Sequence, residues 1–221
     1  MTLFLQWWWS YPETKIMDVE FFTSLNASKK LLYIPTAMVG WFSYEECHEY
    51  IANIIKSLWL SIELETHPYL KDLKDTDFNG YSWIYIWGWN TFKLLYEIKK
   101  YWIDWKIRDF LKNWWKVCWW SAGAIIFWEN INTAPDANIV WLKDVKWLCM
   151  MKGTSIWCHY TGEEEEEIKE YILHHSTNVI ALSETTWLLI ENNKIKTIGK
   201  WKVVYYSSSD KKTYDINQII E

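Results

Sequence analysis

Glycine is scarce in this chain: seven residues out of 221, where about 7%, roughly 15 residues, is usual. Turns and helix ends that need φ > 0 must be built here from other residue types. Basic clusters are missing too. Net charge is −5, the only arginine is Arg108, and the lysines come as scattered pairs such as Lys99-Lys100 and Lys211-Lys212. Phosphate binding needs a basic surface, so a nucleic-acid partner is not expected. No apolar run approaches the roughly 18 residues of a membrane span. The opening Met1-Thr2-Leu3-Phe4-Leu5 has neither the basic start nor the small-residue cleavage site of a signal peptide, and a cytoplasmic location is expected. The four cysteines, Cys47, Cys118, Cys149 and Cys158, show no C-x-x-C spacing, and reduced thiols follow. No Pro/Gly/Ser linker divides the chain, so one domain over 1–221 is expected, with 207–221 as a C-terminal tail.

Tryptophan is abundant instead, at 20 residues. Many stand where turn chemistry asks for glycine. Trp59, Trp102 and Trp114-Trp115 follow helical runs, Trp7-Trp8-Trp9 follow a first apolar strand, and Trp87 and Trp89 flank Gly88. A bulky side chain in a left-handed site costs on the order of 1–2 kcal/mol. The expectation is that many of these residues stand in for glycines, with left-handed dihedrals at Trp59, Trp102 and Trp115; a Trp-rich core would follow a 2 or 3.6 period.

Short apolar runs and amphipathic stretches alternate along the first half. Leu3–Gln6, Leu31–Ile34, Leu60–Leu64, Trp83–Trp87 and the run ending at Trp120 read as strands. Ile16–Leu25, the stretch opened by the capping box Ser43-x-x-Glu46, Asn90–Lys100 and Asp104–Leu111 read as helices. That order predicts an α/β fold with a mostly parallel sheet covered by helices on both faces. Further on, a strand over Gly153–Cys158 leads to a helix opened by Thr161-Gly162-Glu163-Glu164, whose glutamate run is a solvated first turn. Short β segments follow, with a hairpin turn at Asn192-Asn193 and a last packed turn carrying Ile216, Ile219 and Ile220.

The chemistry centres on Trp119-Trp120-Ser121-Ala122-Gly123-Ala124. An apolar strand stops at a serine and small residues open a helix, which is the layout of a nucleophile elbow. The turn would aim the N–H of Ala122 at a developing oxyanion. A serine hydroxyl needs a histidine to take its proton and an acid to fix that histidine. His67 lies in a polar loop, His48 beside Cys47 in a helix, and His174-His175 late in an amphipathic helix. His159 alone stands at the end of a β-like run in the second half. For the acid, Asp136, Glu129, Asp144 and Glu184 are not separated by residue type and spacing alone. No metal-ligand spacing joins the cysteines and histidines, and no metal or cofactor is expected. A glutamine amidotransferase would need a cysteine at the elbow, and a dinucleotide site an acidic ribose ligand at a second strand end.

The Ser121 motif, Gly88-Trp89-Asn90-Thr91-Phe92 with Leu94-Leu95, and Ile34-Pro35-Thr36-Ala37 together resemble the peptidase E family of serine peptidases, from about Leu3 to about Lys202. The family includes aspartyl dipeptidases and, more distantly, cyanophycinases, on a fold similar to class I glutamine amidotransferases and flavodoxin-like sheets. The resemblance implies Ser121 as nucleophile, His159 as general base and Asp136 as orienting acid. Glu184 is the alternative acid or a substrate contact. Gly88 and Ala122 supply the oxyanion hole, and Asn90 lies at the substrate. A short peptide substrate with an N-terminal aspartate is expected, acted on by a monomer or homodimer.

Overall fold

The computed structural model describes residues 2–6, 18–24, 30–38, 42–112, 116–146, 151, 153–191 and 194–220. Five parallel strands build one side of the larger sheet: β1 (Thr2–Gln6), β2 (Lys30–Ile34), β3 (Glu63–Thr66), β4 (Tyr81–Trp87) and β5 (Lys116–Trp120). They lie in the order β1-β5-β4-β2-β3. Between β2 and β4, side chains alternate faces with the period of two that a strand imposes. Leu31, Tyr33, Trp83 and Tyr85 pack with Cys47, Ile51, Ile54 and Ile55 of α1 (Tyr44–Ser57). Leu32, Ile34, Ile84 and Ile86 pack on the other face with Leu94, Leu95 and Ile98 of α2 (Thr91–Lys100) and Ile107, Phe110 and Leu111 of α3 (Asp104–Lys112). Both faces are covered, as the near-continuous apolar strands require. Ser43 and Glu46 close the capping box at the start of α1.

The C-terminal strands are more extensive than the sequence suggests. β8 (Thr186–Glu191) pairs antiparallel with β1, β9 (Lys194–Gly199) with β8 and β12 (Ile219–Ile220) with β9, extending the large sheet to eight strands. The predicted last turn is thus a strand pairing with Ile195 and Lys196. A second sheet, of four strands, joins β6 (Thr154–Trp157) and β7 (Asn178–Ala181) in parallel with β10 (Val203–Tyr206) and β11 (Lys211–Tyr214) antiparallel. Apolar residues at 203–206 and polar ones at 211–214 gave no sign of a separate sheet. The third strand begins at Glu63 rather than Leu60, because 60 belongs to the closure of α1. Residues 192–193 lie outside the described residues, although β8 and β9 pair as a hairpin around them.

The two sheets share a core. Ile156, Cys158, Ile180 and Leu182 of the small sheet are buried together with Ala122, Ala124, Ile125 and Phe127, which follow β5. The outer face of the small sheet is covered by α5 (Glu165–His175), with Ile168, Tyr171 and Ile172 against Val179, Ala181 and Tyr206.

The tryptophans divide into two groups. Trp59 and Trp102 both have φ of 57°, and Trp141 has 53°. The indoles of these three are 95%, 72% and 87% exposed. At the end of α1, Trp59 N–H donates to Lys56 O and Leu60 N–H to Ile55 O. At the end of α2, Trp102 N–H donates to Lys99 O and Ile103 N–H to Ile98 O. Both are Schellman closures with tryptophan at the left-handed position that glycine usually fills. Trp83, Trp87, Trp128 and Trp187, by contrast, are buried. Trp7, Trp8, Trp9, Trp114 and Trp115 lie outside the described residues.

Candidate active site

β4 and β5 run in parallel register, with Trp87 opposite Trp120. The residues that follow them, Gly88 and Ser121, therefore leave the sheet at neighbouring strand ends, where open parallel sheets bind ligands. Ser121 has φ 50° and ψ −114°. Neither helix nor strand uses that combination, and a residue with a β-carbon holds it at a cost of order 1–3 kcal/mol. The next four residues, Ala122–Ile125, form the short helix α4 and are buried. Ser121 O accepts from Ala124 N at 2.8 Å, which turns the chain at once. Small side chains at 122–124 let the turn seat against the shared core while Ser121 itself stays half-buried.

His159 and Glu184 come from the other sheet. Parallel β6 and β7 end side by side, and Leu182 N to Trp157 O (2.8 Å) and Tyr160 N to Leu182 O (2.9 Å) continue the pairing past the strand ends. On this frame His159 Nδ1 lies 2.5 Å from Glu184 Oε1. His159 and Thr185 both take positive φ, at 59° and 60°. The Glu184 hydrogen bond raises the His159 pKa above its usual 6.5; burial opposes this, and the charges of Glu184 and Asp136 add to it. Nδ1 bonded to the carboxylate leaves Nε2 as the nitrogen free to accept a proton. Cys158, just before it, is buried; desolvation first, then the nearby Asp136 and Glu184, push its thiol well above the usual range. An unreactive thiol follows.

Asp136 is placed differently from the sequence-based expectation. Its Oδ2 accepts from Thr91 N at 3.0 Å and from Thr91 Oγ1 at 2.5 Å, at the N-terminus of α2, where a carboxylate is favoured by the helix dipole. It is near enough to His159 to raise that pKa, yet its hydrogen bonds go to Thr91. Asn90 is also occupied: Oδ1 caps α2 by accepting from Lys93 N (2.9 Å) and Nδ2 donates to Ala137 O (3.0 Å). It is buried and ties the 136–138 loop to α2. Thr91 is the residue that sequence reasoning missed. Its partnership with Asp136 spans 45 positions, and no local pattern signals it.

The remaining histidines have other surroundings. His67 Nε2 contacts Glu65 Oε1 and His48 Nδ1 contacts Thr66 Oγ1, both at 2.7 Å along β3. His174 and His175 sit in the last turn of α5. Among the described residues no group of three or more His, Cys, Asp or Glu side chains could hold a metal ion. No helix among them is long and apolar enough to cross a membrane.

The family model for peptidase family S51 matches residues 12–198. The chain belongs to peptidase family S51. Its S51 fold is similar to that of a protein of Listeria monocytogenes EGD-e assigned by name to peptidase E, with a TM-score of 0.69 and 23% identity, covering 90% of this chain and 98% of that one. A peptidase from an acI-B1 Actinobacterium is similar as well, with a TM-score of 0.68 and 16% identity over 99% of this chain and 96% of that one. No curated protein matches this S51 chain in sequence. The membership makes it a peptidase.

Proposed function

We propose that this S51 peptidase hydrolyses short peptides with Ser121 as nucleophile, His159 as general base and Glu184 as the acid that orients it. The observation that carries the reading is the backbone of Ser121, at φ 50° and ψ −114° between β5 and a buried helix. Strain of that kind persists where surrounding structure enforces it, and a serine presented at the tip of the turn is the chemical return. The 2.5 Å contact to His159 Nδ1 supports Glu184 over Asp136 as the acid.

In this reading His159 Nε2 takes the Ser121 proton as Oγ attacks the peptide carbonyl. The N–H groups of Ala122 and Gly88 hold the oxyanion, each worth about 10²–10³ in rate. The proton then passes from Nε2 to the departing amine, leaving an acyl-serine. A water gives one proton to Nε2, attacks the ester and releases the acid, and Ser121 regains its proton. Asp136 keeps α2 and the 136–138 loop in place and adds negative potential near His159. The preference for an N-terminal aspartate follows the likeness of the Ser121 and Gly88 motifs to peptidase E.

Treatment with a fluorophosphonate probe, followed by a panel of Asp-X and other dipeptides, tests the proposal. Labelling that disappears in Ser121→Ala, with turnover of Asp-X, is the expected result. A folded sample that takes no label would overturn the hydrolase reading and leave a binding module. Label without Asp-X turnover would overturn the substrate preference in favour of another small amide or a β-aspartyl bond.

A further inference from the structure

Glu184 is held by its neighbour's backbone, and that backbone is held by a glycine. β8 and β9 pair antiparallel with Thr186 opposite Gly199. Gly199 has φ of +114°, and a β-carbon on it would lie 2.3 Å from Thr185 O, 2.8 Å from Thr186 Cα and 2.9 Å from Trp187 Cε3. Two of those atoms are backbone, which cannot swing aside as a flexible side chain would. Lys200 N donates to Thr185 O at 3.0 Å, and Thr186 Oγ1 bonds Trp201 N (3.1 Å) and O (3.3 Å). The end of β9 therefore presses directly on the left-handed turn at Glu184-Thr185, at a distance only glycine permits.

We propose that Gly199 is a positioning residue for the reaction, setting the Glu184 carboxylate against His159 through the Thr185 turn. This rests on the reading of Glu184 as the orienting acid. Added bulk at 199 displaces the turn by about an ångström, and a misplacement of that size costs up to ~10² in rate. The expected result for Gly199→Ala is kcat for an Asp-X dipeptide lowered by ~10–10² with KM unchanged, and an NMR titration of His159 moved down toward 6.5. On a Glu184→Gln background the same change should cost nothing more. Thr186→Ala, which adds no bulk and only cuts the two Trp201 bonds, is the milder variant and should move kcat and the titration the same way by less. Unchanged kinetics and titration in both variants, or a full additional loss on the Glu184→Gln background, would overturn the proposal. If Glu184→Gln itself leaves the His159 titration unmoved, the acid assignment fails instead, which separates the two.

A second inference rests on other residues. Trp59, Trp102 and Trp141 hold left-handed dihedrals with indoles that are 72–95% in solvent, so nothing on the side chain offsets the backbone cost. Trp128 and Trp187 are fully buried with indole N–H groups that have no acceptor among the described residues. The chain carries 20 tryptophans against seven glycines. We infer that positions 59, 102 and 141 are glycine in the protein as its own cell makes it, through UGA codons read by a glycine-charged tRNA. Sequencing those three codons and mass spectrometry of the peptides from the native protein test this. UGA in the gene and glycine in the peptides are expected. UGG codons, or tryptophan in the peptides, would overturn it.

Discussion

Replacing Trp59, Trp102 and Trp141 by glycine should stabilise the fold, and the size of the gain follows from their surroundings. Each residue sits at φ between 53° and 57°, where a β-carbon crowds the following carbonyl at about 1–2 kcal/mol. Glycine relieves that but brings more freedom to the unfolded chain, a counter-cost of about 0.5–1 kcal/mol. The net is about 1 kcal/mol per site, because exposed indoles contribute no burial. The three sites close different segments and share no hydrogen bond, so their effects should add to about 3 kcal/mol. For a chain of this length each kcal/mol moves Tm by about 2–4 °C, which gives roughly 6–12 °C for the triple variant. Circular dichroism melts are the assay, since tryptophan fluorescence changes with the substitutions themselves. Alanine at the same sites keeps the β-carbon and is the control: it should gain little or nothing. Alanine variants as stable as the glycine ones, or a triple glycine variant no more stable than the parent, would refute the reasoning.

Other expectations concern the site and its pH dependence. Because His159 must be neutral to accept the serine proton and its pKa is raised by Glu184, the acid limb of kcat/KM should lie above pH 6.5; Glu184→Gln should shift that limb down while lowering kcat by about 10²–10⁴. Asp136→Ala leaves Thr91 N unpartnered at the start of α2 and should cost about 1–3 kcal/mol in urea denaturation, with a far smaller loss of kcat than Glu184→Gln. The carboxyl of Glu65 is held below its usual 4.5, mainly by the His67 hydrogen bond. Its stabilisation is present above pH 4.5 and is lost as pH falls through the lowered value, so Glu65→Gln should flatten that part of the acid stability curve.

Much of the parallel half was legible because its signals are local. The capping box at Ser43 and Glu46, the apolar runs at 31–34 and 83–87, and the small residues after Ser121 each declare an element within a few positions. The second sheet was not legible, because β11 reads Lys-Lys-Thr-Tyr and is exposed, with pairing rather than burial making it a strand. In the site, spacing separated His159 from the other histidines, and the structure pairs it with Glu184. The preference for Asp136 over Glu184 had no local basis. Which carboxylate reaches His159 depends on which strand ends lie together, and the partners of Asp136 and His159 stand 45 and 25 positions away.

The hydroxyl rides on the large sheet and its proposed base on the end of the small one, with packed apolar side chains such as Ala124, Phe127, Ile156 and Ile180 lying between the two. Slippage between those layers would separate the reacting groups while leaving every strand intact. Turnover should therefore vanish at gentler denaturant or pressure than ellipticity does, making catalysis a gauge of how firmly one layer grips the other.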